Sequence, residues 1–355
     1  MRTLLHFYGG DTVMRFFDQS SDTKKFLFLI MGLVVIFFLS FMVGRYPISP
    51  DMVLEILLSK IIPLQQVWTD DMEVVMFKIR LPRIIAALLV GAALSTSGAA
   101  YQGMFRNPMV SPGILGVTAG ASFGAALGIL LSFSTIGIQM LAFAFGLVAV
   151  MTTYAIATWL GKNGETIMIM ILAGIIISTL FTSFVSLTKY VADPNNTLPA
   201  ITYWLMGSLA SVNAKDVYVA GIPIVVSLLI LILLRWNLNV MSFGDEEAKA
   251  LGVNTSRLRF SVIICATLMT ASAVSISGVI SLVGLVVPHL ARMLVGPNYK
   301  ILLPVSIVMG SMFLLLVDNL ARTLFAVEVP LGILTSIIGA PFFLYLLLNT
   351  RKGWA

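Results

Sequence analysis

The sequence predicts an all-α polytopic membrane protein with about ten transmembrane helices. Of its 355 residues 59% are hydrophobic and 11% charged, about half the charged share of a soluble domain. The mean hydropathy is +1.00. Ten apolar runs approach the roughly 20 residues that a helix needs to cross about 30 Å of hydrocarbon: 26–43, 84–104, 114–133, 136–160, 167–187, 217–234, 260–276, 279–295, 302–325 and 331–349.

Residues 1–25 mix charge and aromatics and read as a cytoplasmic tail with an amphipathic turn at 14–17; residues 26–355 read as a single transmembrane domain. The first run follows Lys24 and Lys25 and has no small-residue cleavage site before Gly44 and Arg45, so it is expected to be a retained span, not a removed signal. The long external connection at 47–83 shows apolar periodicity at 52–58 and 74–77, which predicts short helices lying on the membrane. It ends in Arg80-Leu81-Pro82-Arg83, at the mouth of the second span. These arginines either snorkel to lipid phosphate or offer their planar forks to carboxylates of an external partner. Arg322, four residues after Asp318, joins them or closes an intrahelical pair.

Gly116, Gly120, Gly124 and Gly128 recur every four residues in the third run, and Ala87, Gly91, Ser95 and Ala99 do so in the second. Such small-residue faces let helices approach closely; a pore lining is the alternative. Between these runs, Pro108 and Pro112 fix the backbone of a tight cytoplasmic turn. The polar run 161–166 lies on the same side, and the two turns are candidates for a gate or are ordinary connectors. The stretch 201–209 is too short to span and is expected to lie at the outer interface, anchored by Tyr203 and Trp204. A break is expected near Ser277-Gly278, where two runs nearly fuse. Cys265 reads as a packing residue, and His289 as a structural hydrogen-bonder.

One polar island, FGDEEAKALGVNTSRLR at 243–259, interrupts the apolar pattern. Acids at 245–247 suit the positive end of a helix dipole, and Gly252 is a stop signal, so a short helix is expected there. With Ala248, Leu251 and Val253 on an apolar side, it is either a docking element for a soluble partner or a solvated connector. Of 22 Lys and Arg residues, fourteen fall on the side of this island and eight on the other, which places both termini and the 237–259 loop in the cytoplasm. No phosphate-binding GxxxxGK[ST] motif and no HExxH or CxxC pair occurs, so no metal ligands are expected, and any ATP that drives the protein binds another chain. The positive charge reads through its distribution across the membrane and does not point to nucleic acid.

GAALSTSG at 91–98, Gln102-Gly103 with Asn107-Pro108, Leu115-Gly116, WLMGS at 204–208, Gly244-Asp245-Glu246 with Ala248 and Leu251-Gly252, GLVVPHLAR at 284–292, Asp318 with Ala321-Arg322, EVPLG at 328–332 and GAPFF at 339–343 occur in order. Together they resemble the FecCD-type permeases that import iron siderophores, haem and vitamin B12. The resemblance implies a ten-helix bundle of the vitamin B12 permease (type II ABC importer) kind in a prokaryotic inner membrane. It implies as partners a second permease copy or close paralogue, a cytoplasmic ATPase dimer that binds ATP and Mg, and an external substrate-binding protein. It also implies that this chain is a transport subunit without catalytic residues, moving a ferric siderophore, haem or a corrinoid by alternating access. By the same resemblance Gly244, Asp245, Glu246, Glu247, Ala248, Leu251 and Gly252 form the coupling helix, and Arg80, Arg83 and Arg322 receive acids of the binding protein. Asn107, Pro108 and Met109 match one cytoplasmic gate loop; Thr166, Ile167 and Met168 match the other, where the family has small hydroxyl residues. Gly91, Ser95, Gly98, Gln102, Gly116, Gly120 and Gly124 are expected in helix packing or along the translocation path. An ion-coupled secondary transporter is the rival, but it needs ionisable residues near the midplane, and the runs are almost free of them. A scaffold or passive channel would not need the coupling helix.

Overall fold

The structure, a computed structural model, describes residues 19–63, 65–161 and 166–349. Most of the expected N-terminal tail with its turn at 14–17, residues 162–165 of the second polar turn, and the basic residues Arg351 and Lys352 lie outside the described residues. The described residues form helices and connections, with no strand. In chain order the helices are α1 (Gln19–Met42), α2 (Pro50–Leu58), α3 (Asp70–Val74), α4 (Leu81–Met104), α5 (Val117–Leu130), α6 (Thr135–Leu160), α7 (Thr166–Val191), α8 (Thr197–Met206), α9 (Ala214–Leu233), α10 (Arg235–Phe243), α11 (Asp245–Ala250), α12 (Thr255–Ser277), α13 (Val283–Val295), α14 (Tyr299–Thr323) and α15 (Leu331–Asn349). Seven are long and apolar enough to cross a membrane, and three shorter apolar helices, α5, α13 and α15, complete the ten expected runs.

Two of the expected spans are shorter than their apolar runs. The run at 114–133 opens with a 3-10 turn, Pro112–Leu115, and Gly116 at φ 91, so α5 has 14 residues, about 21 Å of helix. The run at 279–295 begins in extended chain. Gly278 at φ 66 ends α12, Leu282 at φ 65 precedes α13, and 13 residues remain helical. The break expected at Ser277-Gly278 is thus present and extends to Leu282. Non-helical backbone at such depth survives where protein covers it. Here Ser208 N–H donates to Ser277 O, and Leu331 N–H donates to Gly207 O.

The external connection also differs from expectation at one point. Residues 52–58 form the short helix α2, with Val53 and Ile56 buried. Residues 74–77, however, belong to no separate surface helix. Thr69 caps α3, which passes through a π-helical turn, Val75–Arg80, directly into α4. Nor does α8 merely lie at the interface: Trp204 packs on the cluster of Ala121, Ala125, Ala142 and Val274.

The centre of the bundle is α4, whose small residues are buried on every face. A Cβ on Gly98 would overlap the carbonyl oxygen of Gly284 in α13, and one on Gly91 would overlap that of Gly310 in α14. In α5 the same holds for Gly120 against Phe145 O and for Gly124 against Leu141 O of α6. These glycines therefore serve close helix approach. The peripheral α1 is tied down at its start by Lys25 Nζ donating to Leu294 O at 3.0 Å. This puts the start of α1 at the same end as the α13–α14 connection, where Asn239 Nδ2 of α10 donates to Asn298 Oδ1 at 2.8 Å.

Candidate functional site

At that end, α10 rests on α4 and α14 through Leu238, Val240 and Met241. Gly244 at φ 139 breaks the helix, and α11 follows. Its end is closed by two hydrogen bonds, Gly252 N–H to Lys249 O and Val253 N–H to Ala248 O, both at 2.9 Å, with Gly252 at φ 80. That pattern satisfies the last carbonyls of a helix whose next residue is left-handed, so Gly252 acts as the expected stop. Asn254 Oδ1 then accepts the Arg257 N–H at 3.0 Å and starts α12.

The seven residues expected to form the coupling helix therefore fall in one short segment, Gly244 just before α11 and Leu251 and Gly252 just after it, but they divide by direction. Ala248 is buried against the bundle, and Asp245 Oδ2 accepts from Arg259 Nη2 at 2.8 Å. The Glu247 carboxylate folds back over Gly244. Glu246, Lys249 and Leu251 face outward, Leu251 at 61% exposure. Phe243, 73% exposed, stands just before Gly244 and was not among the singled-out residues; an aromatic beside a polar island was its signal.

The turn carrying Asn107, Pro108 and Met109 lies at this end as well. Asn107 N–H donates to Gln102 O at 3.1 Å, and Asn107 Oδ1 accepts the Met109 N–H at 2.9 Å, a side-chain turn that holds its shape without neighbours. Met109 is exposed. Gln102 Nε2 donates to Leu285 O at 3.3 Å, which ties the end of α4 to α13. His289, on the same helix, is buried with Nε2 unpartnered among the described residues, against its expected role as a hydrogen-bonder. Thr166, Ile167 and Met168 open α7, with Met168 exposed.

At the opposite end Arg80, Arg83 and Arg322 do come together, but inside the protein. Their exposures are 3%, 7% and 5%, and Asp318 between them is at 0%. Arg83 Nε donates to Asp318 Oδ1 at 2.9 Å and its Nη1 to Glu328 Oε1 at 3.0 Å. Arg322 Nε lies 3.1 Å from Asp318 Oδ2, and its Nη1 donates to Val43 O at 3.0 Å. The Arg80 guanidinium donates to the carbonyls of Phe41 and Tyr46. The expectation of outward forks ready for a partner's acids is thereby corrected: carboxylates and carbonyls of this chain already occupy them. Arg322 both joins the others and closes its intrahelical pair. Sequence reading missed Asp318 and Glu328 as partners of Arg83 because they lie more than 230 residues away. Of the arginines at this end, Arg45 is the exposed one.

A further polar feature went unnoticed in the sequence. Ser178, Thr179, Thr182, Ser183 and Ser186 line one face of α7 around a groove of about 400 Å³, with Ile114 and Ile175 beside them. Thr179, Thr182, Ser183 and Ser186 each donate to the carbonyl four residues earlier, at 2.8–3.0 Å. Their remaining lone pairs face the groove. The helical spacing of these hydroxyls was legible; an eye set on apolar runs passed over it.

Sequence and structure comparisons follow this geometry closely. The chain is 41% identical over 343 residues to the molybdate import system permease protein MolB of Haemophilus influenzae, covering 94% of this chain and 98% of that one. It is 37% identical to the hemin transport system permease protein HmuU of Yersinia pestis, over 80% of this chain and 86% of that protein. A solved inward-facing structure of a metal-chelate type ABC transporter superposes with a TM-score of 0.83 at 39% identity, covering 92% of this chain and 99% of that one. The family model described as the FecCD transport family matches residues 32–349, and the chain belongs to that family of ABC transporter permease subunits.

Proposed function

We propose that this chain is the permease of an ATP-driven importer that carries an iron chelate, foremost a ferric siderophore, from an external binding protein into the cytoplasm by alternating access. The carrying observation is the hydroxyl-lined groove on α7. Five hydroxyls on one exposed face of an apolar spanning helix give a hydrated cargo hydrogen-bond acceptors that lipid would not use. A second permease copy facing α7 would close the groove into a path, and the turn at 107–109 with the start of α7 at 166–168 would gate its cytoplasmic end. The chain itself binds no nucleotide in this reading; the ATPase dimer does, and both termini lie on its side of the membrane. A second reading, oxyanion import, is supported by the high similarity to the molybdate permease.

Reconstitution with the ATPase and the binding protein in liposomes tests both. ATP-dependent uptake of a ferric siderophore, haem or cobalamin is expected. Uptake of molybdate alone would move the cargo to the second reading, and uptake driven by an ion gradient without ATP would overturn the importer. Replacing Thr182 and Ser183 together by Leu should cut uptake several-fold while ATPase copurification stays intact; unchanged uptake would remove the groove from the path.

The outward residues of the α11 region predict where the ATPase docks. Burying one large apolar side chain contributes about 1.5–3 kcal/mol, so Phe243→Asp or Leu251→Asp should each weaken ATPase binding by about 10–100-fold. Titration of the permease in nanodiscs with labelled ATPase measures it, and affinities equal to wild type would send α11 back to being a connector.

A further inference from the structure

At the cytoplasm-facing end two segments far apart in sequence meet at one glycine. Arg106, the residue before Asn107, sits at φ 50 in left-handed backbone and is exposed. Its Nη1 lies 3.5 Å from the position a Cβ would take on Gly244, and the Glu247 carboxylate overlaps that same position. A cation of the α4–α5 turn and an anion of α11 therefore flank one α-carbon. Asp245 is engaged by Arg259, and Glu246 and Lys249 point outward. Among the described residues, neither the Arg106 nor the Glu247 side chain has a hydrogen-bond or ion-pair partner, and the two opposite charges stand near each other on either side of Gly244 without pairing.

We infer that Arg106 and Glu247 form a charge latch that links the ATPase-docking helix directly to the turn at 107–109. The inference rests on the reading of α11 as that docking helix. α11 itself hangs between α10 and α12, so a shift of α11 moves Glu247 against Arg106. The turn beyond Arg106 is stiffened by Asn107 and Pro108 and followed by the 3-10 turn Pro112–Leu115, whose Ile114 carbonyl would be overlapped by a Cβ on Gly174 of α7. Displacement of Arg106 thus reaches the path-lining helix α7 at Gly174 through rigid segments. An exposed pair of opposite charges suits this role, because it can part and re-form at small cost, whereas a buried pair would be locked. Gly244 is required twice: for its positive φ, and because any side chain would fill the space through which the two charges must close on each other.

The test uses complete transporters purified through the ATPase, so that every sample contains assembled complex. Cargo moved per ATP hydrolysed is compared for wild type, Arg106→Glu, Glu247→Arg and the double reversal. Each single reversal is expected to lower the ratio by at least about fivefold, the low end of coupling between sites, and the double reversal to restore most of it. Single reversals with wild-type ratios, or a double no better than either single, would overturn the latch. A second measurement does not depend on charge. With Cys265→Ser as background, Arg106→Cys and Glu247→Cys together should be bridged by a bifunctional methanethiosulfonate about as long as the two replaced side chains, each thiol displacing one sulfinate, and the bridge should lower cargo per ATP until it is reduced. If no bridge forms, or if bridging leaves the ratio unchanged, the latch is wrong. A wild-type chain that fails to assemble with any ATPase would instead remove the importer reading.

Discussion

Asp318→Asn is expected to destabilise the folded subunit by about 3–5 kcal/mol, the range seen when one partner of a buried ion pair is removed. Asp318 is at 0% exposure, accepts from Arg83 and is ion-paired with Arg322. With Arg80 alongside, three guanidiniums share this end with two carboxylates, so neutralising one carboxylate widens an existing positive excess. Glu328→Gln should cost distinctly less, since the Glu328 side chain is 22% exposed and water can replace part of what is lost. Adding Arg322→Met to Asp318→Asn should recover some stability, because it removes one of the stranded charges. Thermal unfolding of the detergent-solubilised subunit gives all three values. Equal midpoints for Asp318→Asn and Glu328→Gln would show that the cluster is far wetter than its burial implies.

Gly98→Ala is the second large effect. The added methyl would overlap the carbonyl oxygen of Gly284, which is backbone and cannot swing aside. α4 and α13 must then separate, and because Gly91, two turns earlier on the same face, packs as tightly on Gly310 of α14, that second contact is opened with the first. Overpacking in a tight core costs about 1–3 kcal/mol and occasionally more; with backbone on both sides the expected loss is at or above the top of that range. Gly221→Ala in α9 is the control. Its nearest neighbour would be Leu89 Cδ1 at 3.4 Å, an ordinary contact that yields. Should the two alanine variants melt together, the close approach of α4 and α13 is not what holds the bundle.

Much of this arrangement was legible before any coordinates. Apolar run length locates the ten helices, and the four-residue spacing of Gly120 and Gly124 marks a packing face because close helix contact has a period, while Gly116, in the same series, turns out to be the left-handed residue before α5. The stop at Gly252 could be read because only a left-handed residue closes a helix in that way. What could not be read has physical causes. Hydropathy measures polarity and is blind to dihedrals, so the apolar but extended chain at 279–282 was counted as span. Charge counting weighs each arginine against the membrane. It has no access to carboxylates such as Asp318 and Glu328, brought alongside Arg83 only by the packing of α14 on α4, so the arginine cluster faced the wrong way in the sequence reading. The short helix expected at 245–252 is present, but which of its acids look outward depends on Arg259 and Gly244, and spacing alone does not say.

The π turn between α3 and α4 makes one continuous helical segment of Asp70–Met104, 35 residues long. At 1.5 Å per residue that is about 50 Å, against about 30 Å of hydrocarbon. Laid across a bilayer, the segment would outreach the hydrocarbon by about 20 Å, and its far end from α11 carries Arg80 and Arg83 while its other half holds the tightest contacts of the molecule. One helical segment thus joins the two ends of the molecule, from the arginine cluster to Met104, two residues before Arg106.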